Sequence, residues 1–127
     1  MISPSESVEQ ISLFRWARYL EAKHPALKLM HHIPNGGQRN KATAVRLKLE
    51  GVKAGVPDIC LPVARGGHHG MYIELKAEKG KPTNNQKEWL KALNDEGYFA
   101  VVCHGWEEAA KAISAYLRGE ITRKVDL

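Results

Sequence analysis

The sequence has little cysteine, no long apolar run and no low-complexity tract, and each lack removes a class of protein. Its two cysteines, Cys60 and Cys103, lie inside apolar runs without CxxC or Cys-His zinc spacing. A structural zinc site is therefore not expected, and both read as buried thiols of a reducing compartment. The longest unbroken apolar stretch, Tyr98 to Cys103, falls far short of the roughly 20 residues that a membrane span requires. The opening MISPSESVEQ lacks the basic region and apolar block of a signal peptide. No internal repeat occurs, and glycine and proline punctuate the chain rather than filling linkers. A soluble intracellular protein, cytoplasmic or nucleoid-associated, is the expectation.

What is present suits one domain. Hydrophobic residues make up 43% and charged residues 26% of the 127 positions, close to globular averages of about 45–50% and 25%. Disorder is not the default, and a single domain over 1–127 is expected. Lysine plus arginine is 19 against 14 acids, giving +5 with neutral histidine and a pI near 9.3. That balance favours a polyanionic partner.

The spacing predicts a helix from Pro4 to about Lys23, with Ser3 or Ser5 as cap and Val8, Ile11, Leu13, Phe14, Ala17 and Leu20 on the apolar face. Alternation from Leu27 to Ile33 predicts a first strand, ending in a Pro34-Asn35-Gly36-Gly37 turn. A short basic helix follows over Lys41 to Glu50, then a strand over Asp58 to Val63 and a glycine-rich connection. Met71 to Ala77 is the best strand, and its alternation places Glu74 and Lys76 on one face. A helix from Thr83 or Asn84 to about Glu96, a strand from Tyr98 to Cys103 and a helix from Trp106 to Leu117 complete the order αβαββαβα. That alternation implies an α/β fold, a mixed sheet flanked by helices. His68 and His69 read as exposed, and the three tryptophans as packing residues.

The chemistry concentrates where Asp58 opens one strand and Glu74 and Lys76 share a face of the next. If those strands pair as a hairpin, two carboxylates approach and call for a hard divalent cation between them. Lys76 then reaches the same place, where an ammonium group orients an attacking water and offsets transition-state charge. Glu-x-Lys spacing alone is common on half-buried surface strands, so the pair gains meaning only from its context.

That context is Gly55-Val56-Pro57-Asp58 followed by Ile73-Glu74-Leu75-Lys76, which resembles the PD-(D/E)XK nuclease signature. The wider chain resembles the viral replication and repair nuclease (VRR-NUC) family. Glu6 and Gln10 precede Leu13-Phe14-Arg15-Trp16, Ile33-Pro34-Asn35-Gly36-Gly37 precedes Arg39, and Gln86 and Gly97-Tyr98 follow in order. The resemblance implies a restriction-endonuclease-like core and Mg²⁺-dependent hydrolysis of DNA phosphodiesters, with Mn²⁺ able to substitute. It implies that Asp58, Glu74 and the main-chain carbonyl of Leu75 bind the metal and that Lys76 serves the nucleophile.

The first-helix acid of the family falls at Glu6 or Glu9, three apart on one helical face, with motif alignment favouring Glu6 and Glu9 in reserve. Gln10 and Gln86 match positions near the site, where an amide holds a water or a phosphate; ordinary surface glutamine is the plain alternative. Asn35, Gly36, Gly37, Arg39, Lys41, Lys53, Lys79 and Lys81 are the candidate DNA contacts, with Arg46 and Lys48 beside them. Short single-domain members resemble homodimeric Holliday-junction resolvases, with a phage or prophage association. Restriction-type or flap-type cutting, or an inert nucleic-acid-binding module, are the rival readings.

Overall fold

In the computed structural model, residues 4–35 and 40–123 are described. Helix α1 spans Pro4–Leu20, β1 His31–His32, α2 Lys41–Leu49, β2 Ile59–Leu61, β3 Met71–Lys76, α3 Asn84–Asp95, β4 Phe99–His104 and α4 Trp106–Leu117. The sheet order is β1-β2-β3-β4, with the first two pairings antiparallel and β3–β4 parallel. The mixed α/β architecture and the order of elements are those expected from the sequence.

One face of the sheet carries the core. Met71, Ile73 and Leu75 of β3 and Ile59 and Leu61 of β2 bury completely, against Leu13 and Ala17 of α1 and Ala109, Ile113 and Tyr116 of α4. Tyr116 stacks on Phe99, ring centroids 6.0 Å apart, while its hydroxyl donates to the Val63 carbonyl at 2.7 Å. A buried phenol thereby keeps a partner. Helix α3 packs against β4, where Asn94 hydrogen-bonds both the N–H and the carbonyl of Ala100.

Several expectations are corrected. The stretch Leu27 to Ile33 begins inside a 3₁₀ helix, Pro25–Leu29, and only His31–His32 pair as a strand. Pro25 pre-sets a helical φ, and the buried residues are Leu27 and Met30, three apart, while Leu29 is exposed. That is a 3₁₀ period rather than a strand period. On α1, Val8 and Ile11 stay exposed and only Leu13 and Ala17 bury fully. Ser5 lies inside the helix rather than at its cap, and Ser3 is outside the described residues, as are Gly36, Gly37 and Arg39. Helix α2 buries no side chain and stands as a charged surface element capped by Asn40. His68 is buried between Phe99 and Tyr116, where an exposed histidine was expected.

Candidate active site

The hairpin register creates the site. Ile59 faces Ile73, Cys60 faces Tyr72 and Leu61 faces Met71. Continuing that antiparallel register sets Asp58 opposite Glu74 and Pro57 opposite Leu75, with the two acids on one face. Pro57 has no N–H and cannot extend the ladder. The Asp58 carboxylate engages the ladder as an acceptor instead: its Oδ2 accepts from the Leu75 N–H at 2.9 Å. One carboxylate oxygen thus continues the sheet and fixes the acid's orientation. Lys76 O accepts from Gly105 N on the β4 side. Successive strand carbonyls alternate, so the Leu75 carbonyl faces the β2 edge, toward Asp58.

The backbone of Asp58 is held from the other side as well. Its carbonyl accepts from Ile33 N at 2.7 Å and from His32 Nδ1 at 2.8 Å. His32 is a support that the sequence reading missed. Its partner lies 26 residues away, beyond the reach of any local pattern.

Asp58, Glu74 and Lys76 are only 6%, 1% and 8% exposed, so the Glu-x-Lys pair is no surface ornament. Burial pushes the Glu74 carboxyl up to about 9; a hydrogen bond with Asp58 and the Asp58 charge add to the rise, Lys76 opposes it, and Glu6 contributes further. Glu74 therefore stays protonated at neutral pH when no cation is present. Lys76 Nζ lies 4.0 Å from Glu74 Oε2, while Glu74 Oε1 is buried with no hydrogen-bond partner.

A loop closes over the lysine. Gly80 packs so tightly that a Cβ there would lie 3.3 Å from Lys76 Cβ and 3.4 Å from its Cδ. Gly80 N donates to Ala77 O, and the Gly80 carbonyl accepts from His104 Nε2 at 2.8 Å, which fixes the imidazole tautomer. His104 lies beside Lys76 in the β3–β4 register. It is a second support that the sequence reading did not single out.

The two candidate first-helix acids go to different places. Glu9 Oε1 accepts from Trp106 N at 3.0 Å and so caps α4, whose own N-cap, Gly105, has no side chain to offer. The Glu6 charge instead acts on Glu74. Gln10, one turn beyond Glu6, has a buried side-chain oxygen without a partner. Gln86 is engaged elsewhere: its side-chain oxygen accepts from Thr83 N at 2.8 Å in the capping box of α3. Lys41, Lys53, Lys79 and Lys81 are exposed, and Asn35 is half-buried.

The VRR-NUC domain model matches residues 6–107, a span that holds the hairpin, Lys76 and both candidate first-helix acids. The chain belongs to the VRR-NUC family. It is similar to a solved structure described as "VRR_NUC domain protein", with 31% identity and a TM-score of 0.81 over 100% of this chain and 99% of that one. No curated relative matches the sequence. Membership makes this a nuclease-type domain with DNA as the substrate class. Among the described residues no helix is long and apolar enough to cross a membrane.

The donor set fits a hard divalent ion. Among the described residues no three His, Cys, Asp or Glu side chains gather as a ready-made cage. Mg²⁺ does not ask for one, since it keeps several waters and uses one or two carboxylates with substrate phosphate. Two opposed carboxyls, one with an orphaned buried oxygen, together with a carbonyl facing the same edge, meet that requirement.

Proposed function

We propose that this VRR-NUC protein is a Mg²⁺-dependent endonuclease that hydrolyses DNA phosphodiester bonds, acting on branched DNA as a homodimer. The observation that carries the reading is the buried Asp58–Glu74 pair, opposed across the hairpin, with Lys76 beside it. Asp58, Glu74 and the Leu75 carbonyl would hold the ion. When bound, it polarises the phosphate and stabilises the leaving oxygen.

The chain's own groups do the rest. Asp58 cannot swing away, because Leu75 N holds its side chain and Ile33 N and His32 hold its carbonyl. Lys76 orients the attacking water and offsets charge on the phosphate. Its stem is clamped by Gly80, so little rotamer freedom is lost on reaching that geometry. Exposed Lys41, Lys53, Lys79 and Lys81 bind backbone phosphates without reading sequence. Two such sites related by a twofold axis would face two strands of a junction.

The purified protein is tested on linear duplex, flap and four-way junction DNA side by side, with Mg²⁺ or Mn²⁺. Junction nicking is expected, abolished by Asp58→Asn, Glu74→Gln and Lys76→Ala with circular dichroism unchanged. Full activity in any of these variants removes the site. Metal-independent binding without cleavage of any substrate makes the protein a binding module. Sedimentation at several concentrations tests the dimer.

A further inference from the structure

A cavity of about 310 Å³ opens on the side of the Asp58 backbone, between the end of β1, the α2–β2 connection and α3. Ile33, Pro34, Val52, Val56 and Trp89 wall it, and the exposed Glu50 and Lys53 complete its lining. It begins one hydrogen bond from the site, because Ile33 N donates to the Asp58 carbonyl at 2.7 Å. Its aromatic wall is set in place: the half-buried Trp89 donates Nε1–H to the Ala54 carbonyl at 3.1 Å. Gly55, at φ +90°, allows this closeness, since a Cβ there would stand 3.0 Å from Trp89 Cδ1 and from the Asn85 backbone.

The volume is at the low end of the roughly 300–1,000 Å³ typical of small-molecule pockets. It offers room for one flat ring system. Apolar walls including an indole suit the faces of such a ring. The Glu50 carboxylate, whose Oε1 lies 3.4 Å from Arg46 Nε, offers its other oxygen as acceptor to a ring-edge amino group, and Lys53 a cation to the attached phosphate.

We infer that this cavity receives one unstacked nucleobase of the bound DNA, from the nucleotide next to the scissile phosphate. The inference rests on the nuclease reading and adds to it a physical source of substrate choice. A base at a branch leaves its stack at lower cost than one inside a continuous duplex. A pocket that must be filled beside the cut therefore favours branched DNA.

The test uses the intact protein with Mg²⁺ and a four-way junction carrying a single abasic nucleotide, moved position by position around the cut. At one position beside the cut, KM is expected to rise about 5- to 100-fold, the weight of one stacked base, with kcat little changed. In Trp89→Ala the same abasic substitution should add little, because the pocket is already lost, and Trp89→Phe should restore the dependence. Glu50→Gln, a surface change that leaves the wall intact, should alter which base is preferred at that position. Equal tolerance of the abasic nucleotide at every position overturns the inference while leaving the nuclease reading standing. Equal, additive losses in the wild type and Trp89→Ala overturn it too. Failure to cut any DNA removes both.

Discussion

The Glu74 carboxyl makes the stability of the metal-free protein depend on pH in a direction opposite to that of an ordinary salt-bridged acid. Burial and Asp58 raise it from about 4.5 to about 9 in the folded state. Its contribution is fully present below pH 4.5 and is lost as pH rises through 9, because the folded state binds the extra proton over that interval. At about 1.4 kcal/mol per unit, the loss is about 3 kcal/mol by pH 7 and about 6 kcal/mol by pH 9. Glu74→Gln keeps the shape, cannot ionise and removes this slope. In EDTA at pH 7 it should unfold about 10 °C above the wild type, on the usual scale of a few degrees per kcal/mol for a domain of this size. Asp58→Asn should flatten the slope only partly, since burial is the largest cause and remains. Urea unfolding from pH 5 to 9 measures this. Parallel curves for the wild type and Glu74→Gln would refute the raised Glu74 carboxyl, and with it the electrostatic case for a cation at this place.

Three further outcomes follow from the geometry. Glu9→Ala removes the carboxylate that caps the N-terminus of α4 and should cost about 1 kcal/mol; thermal melts check this, and nicking should persist below the new midpoint. Gly80→Ala places a methyl 3.3 Å from Lys76 Cβ and should lower kcat about tenfold with KM and stability little changed, whereas Gly51→Ala, with open space but φ +102°, should cost about 1 kcal/mol and leave kcat intact. Lys79→Ala and Lys81→Ala should each reduce the slope of log K against log salt by about one, read from DNA binding at 50–200 mM salt.

The fold was legible wherever one local pattern governed a segment. Met71 to Lys76 alternates cleanly, and Trp106–Leu117 repeats its apolar residues at helical spacing with glycine before it; both elements stand where the sequence places them. Leu27 to Ile33 was misread because a 3₁₀ turn and a strand can carry the same apolar residues. Only the burial of Met30 with Leu27 separates the two. His68 was misplaced for a related reason: a glycine-rich connection looks solvated, yet this one folds back on Phe99 and Tyr116.

The candidate site shows a sharper division between local and long-range information. Opposition of Asp58 and Glu74 needs only a hairpin and a strand period, both of which a sequence displays. The fate of the first-helix acids needs more. Glu6 and Glu9 sit on neighbouring parts of one helical face, and no property of α1 distinguishes them. They diverge because α4 arrives with Gly105 at its start, leaving the Trp106 N–H to be met by a carboxylate from another helix. Glu9 is within reach and is consumed as a cap, while the Glu6 charge falls on Glu74. Trp106 lies 97 residues from Glu9, so no local pattern announces this, yet the same docking of α1 against α4 both caps a helix and adds negative charge beside the buried pair. One packing event thus contributes both to stability and to the demand for a cation, so a variant that loosens α1 from α4 should lower both together.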